Sequence, residues 1–168
     1  MLSEFDPPSR YFFDDVSESE VSRYIIGYLS ALIVRLTLFY RLNTQYPFYK
    51  SIFGHSQVIP PEIDITNVSR VIDVGTGTGV WALDFASLPE VQRRNIQIFA
   101  CDIDDTKFLQ GNKLAEKHIS FFKQDVTKPF PDELLGTFDL VNVLLLCCAL
   151  TSQGWKMALQ NLRSLLSE

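Results

Sequence analysis

The second part of the chain alternates short apolar segments with helical ones, and this alternation constrains the fold more than any other feature. Strand candidates lie at four places: Arg70 to Val74, Ile96 to Cys101, Ile119 to Gln124 and Phe138 to Leu146. Helix candidates lie between and after them, at about Thr78 to Ala86, Thr106 to Leu114 and Gly154 to Leu166. Such alternation predicts a parallel sheet covered by helices, in a doubly wound α/β arrangement.

The segment VIPPEID separates this part from an N-terminal region of different character. Residues 1–60 are rich in aromatic side chains and predict a helical extension, whereas residues 61–168 predict the α/β domain. Apolar residues from Tyr24 to Leu42 recur with helical spacing. Arg35 interrupts that stretch before it reaches the roughly 20 residues that a bilayer requires, so we predict no transmembrane segment.

Composition narrows the class of partner. The chain has 168 residues, 46% of them hydrophobic, which is enough apolar material for one core. Its net charge of -5 and its lack of clustered Lys and Arg argue against binding of nucleic acid. The three cysteines have no metal-ligand spacing, so we expect reduced thiols, no metal and a cytoplasmic location.

The first strand candidate runs directly into three alternate glycines, in the stretch VIDVGTGTGVWALDFA. Gly75, Gly77 and Gly79 lack a Cβ, so the backbone can turn tightly and approach a ligand, and the helix beyond offers free N–H groups. Ligands of doubly wound sheets bind at this carboxyl end of the strands. We therefore predict a ligand site at this turn.

Two nucleotide-binding motifs fit the glycines poorly. The dinucleotide fingerprint G-x-G-x-x-G counts Gly75 and Gly77 and then requires a small residue where this chain has Val80. A nicotinamide-dependent oxidoreductase is therefore a less favoured alternative. A P-loop is excluded because no G-K-[ST] occurs in the sequence.

A third motif fits better. The pattern D-x-G-x-G-x-G, formed by Asp73, Gly75, Gly77 and Gly79, resembles the first motif of class I S-adenosylmethionine-dependent methyltransferases. The longer string IDVGTGTGVWALDFA is similar to a fungal branch associated with secondary metabolism. The resemblance implies a Rossmann-like domain and S-adenosylmethionine as cofactor, held at Asp73, the three glycines and Thr76. It also implies methyl transfer to a small molecule, with oxygen as the expected acceptor and nitrogen, sulfur and carbon as open alternatives.

The resemblance extends to the ends of the next three strand candidates. In IFACDID, it implies that Asp102 accepts hydrogen bonds from the ribose hydroxyls and that Ile103 packs on adenine. In FFKQDVTKPFP, it implies that Asp125 lies near the adenine amino group and Val126 against the ring. In FDLVNVLLL, it implies that Val143 lines the methionyl end of the cofactor.

The extension ahead of the first strand has two interpretations. In the family this region commonly covers the substrate, and the aromatic residues Tyr46, Phe48, Tyr49 and Phe53 suit a hydrophobic substrate. The same residues also suit simple packing of the extension on the sheet. The sulfonium methyl is already electrophilic, so alignment does most of the chemical work. His55 is a weak candidate for a catalytic base.

The family pattern continues with further strands after the helix in GWKMALQNLRSLL, whereas the sequence ends at Glu168. We therefore expect an incomplete domain with four strands in the order three, two, one, four. The fourth strand is apolar on both faces and would be an open edge, which favours a homodimer or a complementing chain. A non-catalytic methyltransferase-like partner or remnant stays an open alternative to an enzyme.

Overall fold

The computed structural model describes residues 29–30, 33, 36–37, 40–51, 58–108, 118–144, 146 and 149–167. The chain divides into two compact units, Met1–Leu38 and Phe39–Glu168. In the first unit, the described residues are helical. The second unit contains the sheet and the helical residues 40–51, which we name α1.

Four strands form one sheet in the described part of the chain: β1 (Arg70–Val74), β2 (Gln97–Asp102), β3 (Ile119–Lys123) and β4 (Leu140–Val143). Their order across the sheet is β3-β2-β1-β4, and every neighbouring pair is parallel. The predicted fold class and strand order are thereby confirmed. Because the strands run in one direction, their carboxyl ends meet along one edge of the sheet.

In the part of the chain that the structure describes, three further α-helices cover the sheet: α2 (Val80–Ala86), α3 (Pro89–Arg94) and α4 (Ser152–Leu165). At the start of α4, the hydroxyl of Thr151 accepts a hydrogen bond from the N–H of Gly154, a donor without a partner inside the helix. α3 is absent from the prediction, although it carries ordinary signals. Pro89 opens its first turn, and Asn95 closes it in the left-handed conformation.

Side chains of the sheet alternate between two hydrophobic cores. From β1, Val71 belongs to the core shared with α2 and α3, whereas Ile72 and Val74 belong to the core shared with α4. Phe85 and Phe138 are the largest fully buried side chains of the two cores. Burial on both faces explains why β1 has apolar residues on each face, Val71 on one and Ile72 and Val74 on the other.

β4 is shorter than the predicted segment Phe138 to Leu146. The carboxylate of Asp139 accepts the N–H groups of Ser69 and Arg70 at 2.7 and 2.9 Å, and the N–H of Asp139 donates to the carbonyl of Arg70 at 3.0 Å, so side-chain and main-chain bonds together join the residues before β4 to the start of β1. On the side of β4 away from β1, the described residues contribute one parallel bridge, between Phe138 and Leu166.

The helix predicted at Thr106 to Leu114 lies partly outside the described residues. Its first residues form a 3₁₀ turn, Asp105–Lys107. Asp104 starts this turn by accepting the N–H and the hydroxyl of Thr106 at 3.2 and 2.6 Å. A tight turn therefore follows β2 immediately and directs the chain back towards the end of that strand.

Candidate functional site

The turn between β1 and α2 contains the three glycines of the predicted ligand site. Gly75, Gly77 and Gly79 have φ values of 73°, 58° and 82°, a region that residues with a Cβ rarely adopt. The N–H groups of Gly75 and Thr76 donate to the carbonyl of Cys101 at 2.8 and 3.0 Å. These bonds fasten the turn to the end of β2.

The glycines also serve internal packing. A Cβ on Gly79 would lie 2.8 Å from two ring atoms of Phe121, so the approach of α2 to β3 itself requires a glycine. A Cβ on Gly77 would lie 3.3 Å from Leu42 of α1. The alternate glycines therefore reflect contacts within the protein as well as space for a ligand.

Asp102 ends β2, and its side chain is almost completely buried. Its Oδ2 accepts the N–H of Gly77 at 2.9 Å, and its Oδ1 accepts the N–H of Asp104 at 3.0 Å. Lys107 Nζ lies 3.4 Å from Oδ1. A carboxylate offers about four lone-pair sites, so the two main-chain donors fix its orientation and leave sites for other donors.

Asp73 lies one strand away and is also buried. Its carboxylate accepts the side-chain N–H of Asn142 at 2.7 Å and the hydroxyl of Thr76. Burial raises the pKa of Asp73 to about 6, and the two hydrogen bonds oppose part of that rise. Asp73 thereby ties β4 to the glycine turn.

A cavity of about 240 Å³ opens at the carboxyl ends of the strands. Six of the predicted cofactor residues line it: Asp73, Gly75, Thr76, Gly77, Asp102 and Ile103. The other lining residues come from α1, the glycine turn, α2, the turn after β2 and the segment after β4: Leu42, Tyr46, Thr78, Val80, Trp81, Lys107, Leu144, Leu146 and Ala149. The cavity thus combines two carboxylates and a lysine with a largely apolar wall.

Residues 71–168 match the model of a protein family described as methyltransferase domain. The chain belongs to this family. The match covers the sheet, the glycine turn and both cavity carboxylates, and it confirms the predicted class I methyltransferase resemblance and S-adenosylmethionine as its cofactor.

Three curated fungal proteins are similar to this chain. Methyltransferase grgD of Penicillium sp. is 29% identical over 75% of the chain and 44% of its own length. N-methyltransferase tcpN of Claviceps purpurea is 29% identical over 61% and 35%, and N-methyltransferase gliN of Aspergillus fumigatus is 28% identical over 68% and 38%. The chain therefore spans less than half the length of these relatives.

The cavity residues of the methyltransferase domain fit a nucleoside cofactor. The Asp102 carboxylate is held by main-chain donors and can accept hydroxyl groups, as a ribose requires. Ile103 follows it with its side chain 60% exposed, which suits contact with a flat base. The turn at Gly75 and Gly77 lacks Cβ atoms that would narrow the cavity.

Asp125 and Val126 are not among the cavity-lining residues. Asp125 Oδ1 accepts the N–H and the hydroxyl of Thr127 at 2.9 and 2.7 Å, and these bonds lower the pKa of Asp125. The side chain of Val126 is buried in the core with α4, and its carbonyl accepts the side-chain N–H of Asn161 at 2.8 Å. Their proposed contacts with adenine stay predictions.

The alternation of β4 separates Val143 from the cavity. Asp73 pairs with Asn142 across the parallel strands, and Leu144 on the same face lines the cavity. Val143 faces the opposite side and packs against the core with α4. The period of two along a strand predicts that Asn142 and Leu144, rather than Val143, share the face of β4 that lies towards the cavity.

α1 contributes residues that the glycine motif does not identify. Tyr46, one of the four predicted aromatic wall residues, is buried and lines the cavity together with Leu42. Asn43 Oδ1 accepts the hydroxyl of Thr78 at 2.8 Å. Phe48, by contrast, is 60% exposed, and Phe53 lies outside the described residues.

Asp84 of α2 holds the other end of α1. Its Oδ2 accepts the hydroxyl of Tyr46 at 2.8 Å and the ammonium of Lys50 at 2.7 Å. Burial and the neighbouring Asp84 raise the pKa of Tyr46 far above its ordinary value, so its hydroxyl stays protonated. α1 is therefore fastened to the domain by polar contacts at two points, Thr78 and Asp84.

The remaining predictions concern His55, the cysteines, metal binding and a membrane span. His55 lies outside the described residues, as do Cys147 and Cys148. Where the structure describes the chain, no three His, Cys, Asp or Glu side chains converge as metal ligands would. Within the same ranges, no helix is both long and apolar enough to span a membrane.

Proposed function

We propose that the chain binds S-adenosylmethionine in the cavity and belongs to an enzyme that methylates a small, largely apolar molecule in fungal secondary metabolism. The arrangement of Asp102 carries this proposal. Its carboxylate is oriented by the N–H of Gly77, so the ribose acceptor and the glycine turn form one preorganised unit in the cavity wall. The fungal methyltransferases to which the chain is similar support the pathway class.

The bound cofactor would supply a methyl group on a positively charged sulfur, which a nucleophile can attack directly. The residues of the chain bind and orient. Asp102 would hold the ribose, Ile103 would cover the base, and the turn at Gly75 would admit the cofactor close to the backbone. Orientation of two reactants can contribute roughly 7 to 11 kcal/mol to lowering the barrier, so no strong catalytic acid is required.

We propose nitrogen as the methylated atom, in place of the oxygen expected from sequence. Two of the similar fungal proteins are named N-methyltransferases. A neutral amine attacks through its own lone pair, whereas a hydroxyl needs a base. Among the described cavity residues, Tyr46 stays protonated and Asp73 is already bonded to Asn142 and Thr76. Paired amine and hydroxyl analogues of one aromatic substrate test this choice, and preferred methylation of the hydroxyl would contradict it.

We also propose that residues of the N-terminal extension cover the substrate. Leu42 and Tyr46 form part of the cavity wall, and the contacts with Thr78 and Asp84 keep α1 at its rim. An apolar aromatic wall excludes water from the reacting methyl group. Under this proposal, Tyr46→Ala raises the KM for substrate more than it lowers kcat.

The test of the cofactor site is calorimetric titration with S-adenosylmethionine and its demethylated product, S-adenosylhomocysteine. If Asp102 accepts charge-assisted hydrogen bonds, Asp102→Ala weakens binding by about 10- to 150-fold. Asp105→Ala is the matched control, because Asp105 is exposed, pairs with Lys123 and does not line the cavity. Equal affinity of the two variants would remove Asp102 from the site.

Measurements of ligand binding and of methyl transfer distinguish this function from a non-catalytic protein and from an oxidoreductase. Binding of S-adenosylmethionine without methyl transfer to any amine or hydroxyl would indicate a non-catalytic methyltransferase-like partner. Binding of NADH, read by its fluorescence, would instead revive the oxidoreductase interpretation. A folded chain that binds neither ligand would contradict the proposed function.

We also propose that another chain binds at the edge of β4. All four residues of β4 are partly exposed, although three of them are apolar. Among the described residues β4 is the last strand of the sheet, and an apolar edge strand favours pairing with a second copy or a complementing chain. Light scattering on the purified chain tests this, and a stable, monodisperse monomer would contradict it.

A further inference from the structure

Lys107 is the one cation among the described residues that line the cavity. Its Nζ lies 3.4 Å from Asp102 Oδ1 and 3.6 Å from Asp104 Oδ2. The lysine side chain is a quarter exposed, so the contact is only partly shielded from solvent. A cation therefore stands beside the carboxylate to which the proposed function assigns the ribose.

The turn after β2 determines where Lys107 lies. The N–H of Asp104 donates to Asp102 Oδ1, and the carboxylate of Asp104 holds Thr106. The ring of Phe108 packs 5.1 Å from the ring of Phe121 on β3. These contacts fix the backbone on both sides of Lys107 and direct its side chain back towards the end of β2.

Asp102 does not depend on Lys107 for its orientation. The N–H groups of Gly77 and Asp104 already hold one carboxylate oxygen each at 2.9 and 3.0 Å. Of about four lone-pair sites, the two main-chain donors use two and Lys107 uses one. Two ribose hydroxyls need two sites, so the lysine and the ribose compete for the same carboxylate.

The charge of Lys107 acts on the ligand as well. S-adenosylmethionine carries a sulfonium, an ammonium and a carboxylate, so its net charge is positive, whereas the demethylated product is neutral overall. The ionisable groups lining the described part of the cavity are Asp73, Asp102, Lys107 and the protonated Tyr46. A lysine there repels the cationic cofactor more than the neutral product.

We propose that Lys107 is a specificity-determining residue of this cavity, which competes with the ribose for Asp102 and shifts the binding preference from S-adenosylmethionine towards its demethylated product. The inference rests on the proposed function, because it assumes that the cavity binds these ligands. It predicts that removal of the lysine charge raises the affinity for S-adenosylmethionine relative to the affinity for the product.

The experiment is calorimetric titration of Lys107→Met with three ligands. Adenosine carries the ribose alone, S-adenosylhomocysteine adds a tail without net charge, and S-adenosylmethionine adds the sulfonium. We expect adenosine and the product to bind about two- to fivefold more tightly than to wild type, and S-adenosylmethionine about five- to tenfold. The gain for S-adenosylmethionine should shrink as salt is added.

Lys123→Met is the matched control. It removes the same charge at a lysine that pairs with Asp105 at 3.4 Å, is 61% exposed and does not line the cavity. Lys107→Gln repeats the removal of charge with a polar side chain, so that a folding defect of one variant cannot hide the result. Lys107→Arg keeps the charge and should keep the wild-type ratio of the two affinities.

The outcomes distinguish the two proposals. If the wild-type protein binds the ligands but Lys107→Met behaves like Lys123→Met, the inference fails and the proposed function stands. Weaker binding of all three ligands by Lys107→Met and Lys107→Gln would also overturn it, since Lys107 would then support the ribose. If the folded wild-type protein binds none of the ligands, both proposals fail.

Discussion

Asp102 and Asp125 follow neighbouring parallel strands, yet the protein uses them differently. Asp102 accepts an N–H from Gly77, 25 residues earlier in the chain, and lines the cavity. Asp125 bonds with Thr127, two residues further on, and is not among the cavity-lining residues. The first carboxylate is held both by the local turn at Asp104 and by an N–H from a distant segment, whereas the described bonds of the second are those of a local turn.

The difference between the two aspartates shows which parts of a sequence motif predict the geometry of a site. At the ends of β1 and β2, hydrogen bonds tie the site residues to another segment, as the bonds from Gly75 and Thr76 to Cys101 illustrate. At the end of β3, the local turn satisfies Asp125 without reference to a ligand. We therefore expect substitutions at the first place to affect stability and binding together, and substitutions at the second to have small effects.

The largest effect is expected for Gly79→Ala, which tests the contact between the glycine turn and β3. The new Cβ would meet the Phe121 ring at 2.8 Å at a φ of 82°. A left-handed conformation costs about 1 to 2 kcal/mol and overpacking about 1 to 3 kcal/mol, so the free energy of unfolding should fall by about 2 to 5 kcal/mol. Urea denaturation measures this loss.

Gly136→Ala is the control for that experiment. Gly136 has a φ of 64°, but nothing lies within 4 Å of its added Cβ. The free energy of unfolding should therefore fall only by the backbone cost of about 1 to 2 kcal/mol. Equal losses for the two variants would mean that the Phe121 contact does not constrain the turn.

A smaller effect is expected from the titration of Asp73, which joins β1 to Asn142 of β4. Burial raises its pKa to about 6 in the folded protein, above its ordinary value in the unfolded chain. The folded state therefore binds more protons between about pH 4 and pH 6, and the stability from this carboxyl is complete below that window and lost as pH rises through it. The loss amounts to at most about 3 kcal/mol.

Asp73→Asn isolates this contribution, because asparagine keeps the shape of the side chain and cannot ionise. Measured by urea denaturation at pH 4 and pH 7, the stability of wild type relative to Asp73→Asn should fall as pH rises. Carboxyls that do not interact with Asp73 contribute equally to both proteins and cancel in the comparison, whereas Asp102 interacts with Asp73 through its charge. A difference that stays constant with pH would show that Asp73 does not titrate in this range.

Much of the fold could be predicted from the sequence because it depends on periodicity. The β1 bounds coincide with the prediction, and the parallel sheet follows from the alternation of strands and helices, whereas the strand order is expected from the family resemblance. Gly75 and Gly77 could be predicted from their position directly after a strand, and Asp102 from the family resemblance. Lys107 and Leu42 could not, because neither belongs to a motif: Lys107 reaches Asp102 from the turn after β2, and Leu42 reaches the cavity from α1.

Tyr46→Phe tests the attachment of α1 to the domain and should have a moderate effect. The variant loses one hydrogen bond to Asp84, while Lys50 still pairs with that carboxylate at 2.7 Å. We expect the free energy of unfolding to fall by about 1 kcal/mol. Thr44→Val is the control, since the Thr44 hydroxyl bonds only to carbonyls of its own helix turn. A larger loss of stability for Thr44→Val than for Tyr46→Phe would show that bonds within α1 contribute more than its attachment to Asp84.

The smallest effect is expected for Asp125→Ala, and this variant tests the comparison most directly. If the local turn with Thr127 is the main role of Asp125, affinity for S-adenosylmethionine should change by no more than about threefold, against about 10- to 150-fold for Asp102→Ala. Asp125→Asn retains an oxygen that can accept the N–H of Thr127, so it separates the turn from the charge. Were both variants to weaken binding as strongly as Asp102→Ala, Asp125 would contact the bound cofactor through an oxygen that the turn leaves free. The two aspartates would then differ in how the unliganded protein holds them, but not in what they bind.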